Sequence, residues 1–189
     1  MEMMQAFSDD IRRYRDEPNI EMELRLGRIN RGRFDTDVGP HVFGKILHGL
    51  DLYNGWEQVT QKVDEVYYWP DARCVYSDEE CLTQRKHKIL AKDLAIGPVL
   101  DVRLGISQEI PIDMPSDEAT RCVHRQRKSF IRKNVRIDMT VVTGQPVDKD
   151  SENPVSYQIE LEIMSAKTDQ EIFSALHKVH DVLHILSFT

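Results

Sequence analysis

Ile20-Glu21-Met22-Glu23-Leu24-Arg25-Leu26 alternates without a break between apolar and charged side chains. A period of two marks a β-strand, because successive side chains leave a strand on opposite faces. The pattern returns at Arg136-Ile137-Asp138-Met139-Thr140-Val141 and at Tyr157-Gln158-Ile159-Glu160-Leu161-Glu162-Ile163. Between and around them, strands are expected at residues 20–29, 57–69, 72–77, 81–95, 99–110, 122–132, 134–143 and 155–164. Turn-forming stretches such as Pro70-Asp71, Ser77-Asp78, Gly97-Pro98, Pro111 to Asp117 and Gly144 to Pro154 separate them. About eight strands can close into a barrel whose interior is about one small ligand wide.

Three helices flank this run. Ser8 reads as the N-cap of a short helix that Pro18 stops. Gly39-Pro40 opens a second, with Val42, Phe43, Ile46, Leu47 and Leu50 at helical spacing. Thr168-Asp169-Gln170-Glu171 is a capping box that starts a closing helix with Ile172, Leu176, Val179, Leu183 and Leu186 on its apolar face. The expected class is α+β, mainly antiparallel β: a closed eight-stranded barrel with a few helices, filling residues 1–189 as a single domain.

Composition narrows the function classes. The chain is 40% hydrophobic and 30% charged, with a formal net charge of −7. Bulk attraction to duplex nucleic acid is excluded, so a polyanion must meet Lys and Arg gathered in one place. The three cysteines, Cys74, Cys81 and Cys122, include no CxxC pair. Neither a disulfide framework nor a zinc site is expected, and a reducing compartment is. The first ten residues hold no apolar run, and no stretch approaches the ~20 apolar residues of a membrane helix, so no membrane partner is expected.

The charged residues keep to one face of most strands. Glu21, Glu23 and Arg25 share parity; so do Arg103 and Glu109, Arg125 and Arg127, Arg136 and Asp138, and Gln158, Glu160 and Glu162. For any one strand, the wet face of an antiparallel sheet explains this. Taken together, acid pairs at i, i+2 in the first and last strands bracket arginine pairs between them. With that face turned inward, the barrel becomes a lumen of opposite charges, costly to bury unless it holds water, metal and an anion. Carboxylates at i and i+2 point the same way and can share a hard cation such as Mg²⁺ or Mn²⁺. Two such pairs are expected on facing walls. Arg and Lys opposite them would grip phosphate oxygens, which is what phosphoryl transfer requires.

At this point the motifs resemble a known family, the metal-dependent RNA 5′-triphosphatases of fungi, protozoa and large DNA viruses. Ile20 to Gly27 resembles the first metal motif and Tyr157 to Ile163 the last. Asp101 to Glu109, Arg125-Gln126-Arg127-Lys128-Ser129-Phe130 and Arg136-Ile137-Asp138-Met139-Thr140 match the internal motifs, in the same order. The resemblance implies a triphosphate tunnel that removes the γ-phosphate of nascent RNA ahead of capping. It implies Glu21, Glu23 and Glu162 as ligands of Mg²⁺ or Mn²⁺. It sets Arg73, Arg125 and Arg127 on the phosphates, helped by Lys86 or its neighbours Arg85 or Lys88. Glu109 is implied to orient the attacking water, with Arg25, Arg103, Arg136, Asp138 and Glu160 as members of the network and Arg103 and Arg136 also near substrate. Gln158 departs from the family, which carries an acid there. The length resembles compact viral members. Implied partners are 5′-triphosphate RNA and a capping guanylyltransferase, in the nucleus or cytoplasm, or in the host cell or virion of a virus.

Two other functions fit part of the pattern. The Glu-x-Glu start also suits a tunnel hydrolase of inorganic triphosphate, thiamine triphosphate or an NTP. A non-catalytic polyphosphate-binding barrel is the third, and the intact acids count against it. Among the remaining signals, His177, His180 and His184 read as a solvated helix flank; His87 and His124 lie on strands next to basic residues, and His124, opposite in parity to Arg125, reads as outward-facing. Phe43, Trp56, Tyr67, Tyr68 and Trp69 read as packing rather than as a base-stacking platform. Asp148-Lys149-Asp150-Ser151-Glu152 reads as a solvated hairpin loop. The oligomeric state stays open.

Overall fold

The computed structural model describes residues 2–77, 80–144 and 155–187. Its elements are α1 (Glu2–Tyr14), β1 (Ile20–Asn30), β2 (Arg33–Asp35), α2 (Gly39–Leu52), β3 (Gln58–Tyr68), β4 (Arg73–Ser77), β5 (Glu80–Leu94), β6 (Asp101–Pro111), β7 (Arg121–Arg132), β8 (Val135–Gly144), β9 (Val155–Ile163) and α3 (Asp169–His184), then a short 3-10 turn, Ile185–Ser187. The eight strands expected from the alternation are all present, with ends shifted by at most three residues. The hairpin loop expected at residues 148–152 lies outside the described residues.

The sheet order is β2-β1-β6-β5-β4-β3-β7-β8-β9, and β9 pairs back onto β1. Eight strands therefore close into a ring, and β2 sits outside it as an extension of β1. All pairings are antiparallel. Closure leaves none of the eight strands with a bare edge on both sides.

The main core lies outside the barrel. Leu24 of β1, Leu104 of β6, Ile137 of β8 and Leu161 of β9 are fully buried on the outward face. Phe7 and Ile11 of α1, Ile46 of α2, and Ile172 and Val179 of α3 cover them. The same period-two alternation that buries these side chains under helices turns their charged neighbours into the lumen. The helices do not reach round to β3, whose outward Val59 and Val63 are 46% and 69% exposed.

Two expectations need correction, and one strand was not foreseen. Ser8 does not cap α1; it lies buried within it, and its hydroxyl donates to the Met4 carbonyl at 2.5 Å. The buried stripe Met3, Phe7, Ile11, at i, i+4 and i+8, carries the helix back to Glu2. Cys74 and Cys81 form a disulfide, with Cα atoms 6.2 Å apart, where none was expected. The reason is the β4–β5 register, Cys74 opposite Thr83 and Tyr76 opposite Cys81, which sets the two sulfurs diagonally across one face. Cys122 is free. Finally, β2 follows a tight turn at Arg31 and Gly32, with φ of 48° and 77°, the backbone of a two-residue hairpin loop.

The capping box at α3 forms as read: the Thr168 hydroxyl accepts from the Glu171 backbone N–H, and the Glu171 carboxylate accepts from the Thr168 N–H. Thr168→Ala should lower unfolding stability by about 1 kcal/mol, since one backbone donor loses its partner. A denaturant midpoint equal to wild type would mean that α3 is held by its apolar face alone.

Candidate active site

Closure of the barrel encloses a lumen of about 1000 Å³. β1 supplies Glu21, Glu23 and Arg25 to it, β4 supplies Arg73, and β5 supplies Gln84 and Lys86. Glu109 comes from β6, Arg125 and Arg127 from β7, Arg136 and Asp138 from β8, and Gln158, Glu160 and Glu162 from β9. Another hollow, about 980 Å³, lies on the outer face beside Tyr67, Trp69, Cys74 and Met114. Its lining is mostly apolar, so the clustered charges mark the lumen as the place for chemistry.

The acids gather where the ring closes. Glu23 stands directly opposite Glu162 in the β1–β9 ladder, and Arg25 opposite Glu160. The two acid pairs are therefore on adjacent strands, not on facing walls as the sequence suggested. A side-by-side arrangement brings the carboxylates closer, because directly opposed Cβ atoms lie about 5 Å apart. Gly105 faces Glu23 from β6, and a Cβ there would sit 3.1 Å from Glu23 Oε1, so the glycine makes room for this carboxylate.

Basic residues interleave with the acids. Lys86 Nζ bonds the Glu21 carboxylate and lies 3.1 Å from Glu109 and 3.8 Å from Glu23. Arg25 pairs with Glu23 and with Glu160, both at 3.0 Å. Arg73 donates to Glu109 at 2.6 Å, and the Gln84 amide donates to its other oxygen at 2.6 Å. Arg73 Nε is buried without an acceptor, a donor left over for a ligand. Arg125 is anchored by buried Asp64 at 2.6 Å. Arg127 meets Asp138 at 3.1 Å and the Thr140 hydroxyl at 3.2 Å. Arg136 pairs with both Asp138 and Glu162.

Burial and charge together set the ionisation of the acids. Desolvation raises Glu21, but the charge and hydrogen bond of Lys86 outweigh it and bring the carboxyl down to about 2. Glu23 goes the other way, pushed up to about 7, first by burial and then by the charge of Glu160, with Arg25 and Lys86 opposing. Glu162 is also raised, chiefly by burial, against the pull of Arg136. Among the described residues, no three His, Cys, Asp or Glu side chains converge closely enough to hold an ion as they stand. The donor set still fits a hard divalent cation: three carboxylates on one patch of wall, two of them with raised pKa values that a positive charge would lower.

The structure thus brings together nearly all of the residues read from sequence. Lys86, not Arg85 or Lys88, is the inward base: Arg85 pairs outside with Asp71 at 2.9 Å, and Lys88 is exposed beyond the lining. Arg103 does not join the others. It has lumen parity but lies past the cavity, bonded to Asp93 at 2.5 Å with its guanidinium 4.6 Å from the centroid of the Phe34 ring. His124 faces outward to Glu65 as expected. Phe43 packs on Tyr157 and Trp56 on Phe130, whereas Tyr68 lines the lumen. Sequence reading missed Asp64, Gln84 and Lys62. Gln58, Thr60, Lys62 and Asp64 do share parity, but Gln61 and Glu65 on the other face of β3 hide the alternation.

A closed barrel whose lumen interleaves carboxylates with arginine and lysine is a tunnel suited to a phosphate chain. Residues 85–183 match the family model described as mRNA capping enzyme, beta chain, which is just over half of the chain. The chain belongs to this family of mRNA-capping triphosphatases. The fold agrees with that of the Schizosaccharomyces pombe RNA triphosphatase Pct1, at a TM-score of 0.74 and 16% identity over 96% of this chain and 84% of that one. Pct1 in complex with the Spt5 CTD matches at a TM-score of 0.72 and 16% identity, covering 100% of this chain and 89% of that one. The RNA triphosphatase domain of a trifunctional mimivirus capping enzyme matches at 0.61 and 20% identity, over 96% and 94%. No curated protein matches the chain.

The raised carboxyls predict a pH signature in chelator. Glu23 moves from an ordinary value of 4.5 to about 7, so the folded state holds this proton more tightly than the unfolded chain. Its contribution to stability is complete below pH 4.5 and is lost as pH rises through 7. Glu162 acts in the same sense, while Glu21, being depressed, acts only at lower pH. Glu23→Gln should flatten the slope of stability over this window, by roughly 1–3 kcal/mol in all. Parallel wild-type and mutant curves would show that Glu23 ionises normally.

Proposed function

We propose that the lumen hydrolyses the γ-phosphate of triphosphate-ended RNA, the first step of mRNA capping, with Mg²⁺ or Mn²⁺ held by Glu21, Glu23 and Glu162. The observation that carries this reading is the register of Glu23 opposite Glu162, beside Lys86, Arg73, Arg125 and Arg127 in one cavity. When bound, the ion supplies charge neutralisation at the phosphate oxygens. Arg125, fixed by Asp64, and Arg127, fixed by Asp138 and Thr140, hold the phosphate chain by charge-assisted hydrogen bonds. Lys86 and Arg73 reach it from the other side of Glu109.

In this reading Glu109 orients the attacking water. Arg73, Gln84 and Lys86 fix both of its oxygens, leaving it able to accept a proton as the water oxygen bonds the γ-phosphorus. The bridging bond to the β-phosphate then breaks, and its electron pair leaves with the diphosphate RNA end. That end is the substrate a capping guanylyltransferase requires. Binding replaces internal ion pairs with ligand oxygens, so the cations are already oriented when charge develops. Gln158 sits opposite Thr140, and its amide donates to the Ser156 hydroxyl at 3.4 Å.

The deciding measurement is release of labelled γ-phosphate from triphosphate-ended RNA with and without divalent cation, beside ATP and inorganic triphosphate. Arg127→Ala should cost about 30- to 1,000-fold in turnover in a folded protein. Glu23→Gln and Glu162→Gln should both raise the Mn²⁺ concentration needed for half-maximal activity, because a neutral amide is a poor ligand for a hard cation. Gln158→Glu should leave that requirement unchanged. If both Glu mutants titrate with Mn²⁺ like wild type, the acids hold no common ion.

A further inference from the structure

Residues that stand opposite one another in the ladders form rows across the lumen wall, and three successive rows cross β3, β7, β8 and β9. In the first, Asp64 stands opposite Arg125, Arg125 opposite Val142 and Val142 opposite Ser156. Two residues along β3, Lys62 stands opposite Arg127, Arg127 opposite Thr140 and Thr140 opposite Gln158. Two residues further, Thr60 is followed by Ser129, Asp138 and Glu160. Both flanking rows contain a carboxylate. The middle row contains two cations and no acid. Lys62, Arg127 and Gln158 line the lumen, and Thr140 is buried in line with them.

Like charges directly opposite on neighbouring strands destabilise a sheet. Asp138 of the next row offsets Arg127 at 3.1 Å, and the Thr140 hydroxyl accepts from Arg127 Nε at 3.2 Å. Lys62 has no such partner: it pairs with no carboxylate among the described residues, whereas Arg25, Arg73, Lys86, Arg125 and Arg136 each do. Gln158 ends the row with an amide, which can donate to an anion without the repulsion a carboxylate would add. Unbalanced positive charge beside hydroxyl and amide groups is the composition of an anion subsite.

The row also lies away from the acids at the β1–β9 seam. Gln158 is four residues from Glu162 on β9, about 13 Å along the strand. β3 is four steps from β1 whichever way the ring is followed, which puts Lys62 on the wall across from Glu21 and Glu23. Resting on the triphosphatase reading, we propose that Lys62, Arg127 and Gln158 form a subsite for the α-phosphate, the phosphate farthest from the bond that breaks, with Lys62 as its substrate-binding cation. In inorganic triphosphate the far terminal phosphate takes the same place. No bond forms or breaks at that phosphorus, so the contact is made equally in the ground and transition states and belongs to KM rather than to kcat.

Melting curves in chelator and steady-state kinetics test this. Without ligand, Lys62→Met should melt at or above the wild-type temperature, because it removes one of two opposed like charges. Inorganic triphosphate should raise the melting temperature of wild type more than that of Lys62→Met, since an anion that binds only the folded state stabilises it by an amount set by its affinity. Lys62→Met should raise the KM for triphosphate-ended RNA and for inorganic triphosphate by about tenfold and lower kcat much less. Lys62→Arg should keep the KM near wild type, and Gln158→Glu, which sets a carboxylate into the row, should raise it. The subsite is overturned by a Lys62→Met KM equal to wild type, by a loss in kcat alone, or by equal triphosphate-induced melting shifts in the two proteins. Wild type that releases no γ-phosphate yet keeps a Lys62-dependent melting shift sinks the triphosphatase reading and leaves the subsite standing.

Discussion

The pairing of β9 back onto β1 sets Glu23 against Glu162 and Arg25 against Glu160. Two acids directly opposed on neighbouring strands would repel in an ordinary sheet. They are tolerated because Lys86 of β5 and Arg136 of β8 meet them across the ring, beside Arg25 on β1 itself. Breaking the closure would leave these charges without partners and open both faces of the sheet to water. Strand order, inward charge and the cavity all follow from that one seam.

The price of a charged interior is that the barrel cannot supply its own hydrophobic core. The apolar faces of β1, β6, β8 and β9 point outward, and α1, α2 and α3 bury them. This places the most rigid packing directly behind the strands that carry Glu21, Glu23 and Glu162. A carboxylate on a strand backed by fully buried Leu24 and Leu161 has little freedom to drift, which is what a pre-organised ligand set requires. β3 and β4 lack such backing. The Cys74–Cys81 disulfide ties β4 to β5, next to Arg73 and Gln84.

The lumen is organised as compensated pairs. Each cation read as a phosphate ligand already holds a carboxylate, and in the case of Arg125 and Arg127 that acid is buried. Buried pairs of this kind contribute little net stability, since desolvation offsets their attraction. Their value is orientation. A guanidinium held by Asp64 or Asp138 presents its remaining N–H groups in a fixed direction, and a triphosphate meets donors that need not reorganise.

Alternation at residues 20–26, 136–141 and 157–163 was enough to read the strands, the closed barrel and the inward face, because parity is local. The same parity identified Glu21, Glu23, Glu162, Arg125, Arg127 and Glu109, each of which lines the lumen. It could not say that Glu23 and Glu162 stand side by side, since which strands are neighbours depends on a closure 140 residues long in sequence, from Glu23 to Glu162. Nor could it separate Lys86 from Arg85 and Lys88, or remove Arg103, which shares the inward parity but stands past the end of the cavity under Phe34. Asp64, Gln84 and the Cys74–Cys81 bond came only from the register of β3, β4 and β5. Alternation fixes the face a side chain takes; its height along the tunnel and its partner across the ladder come from strand tilt and pairing, which the ring settles as a whole.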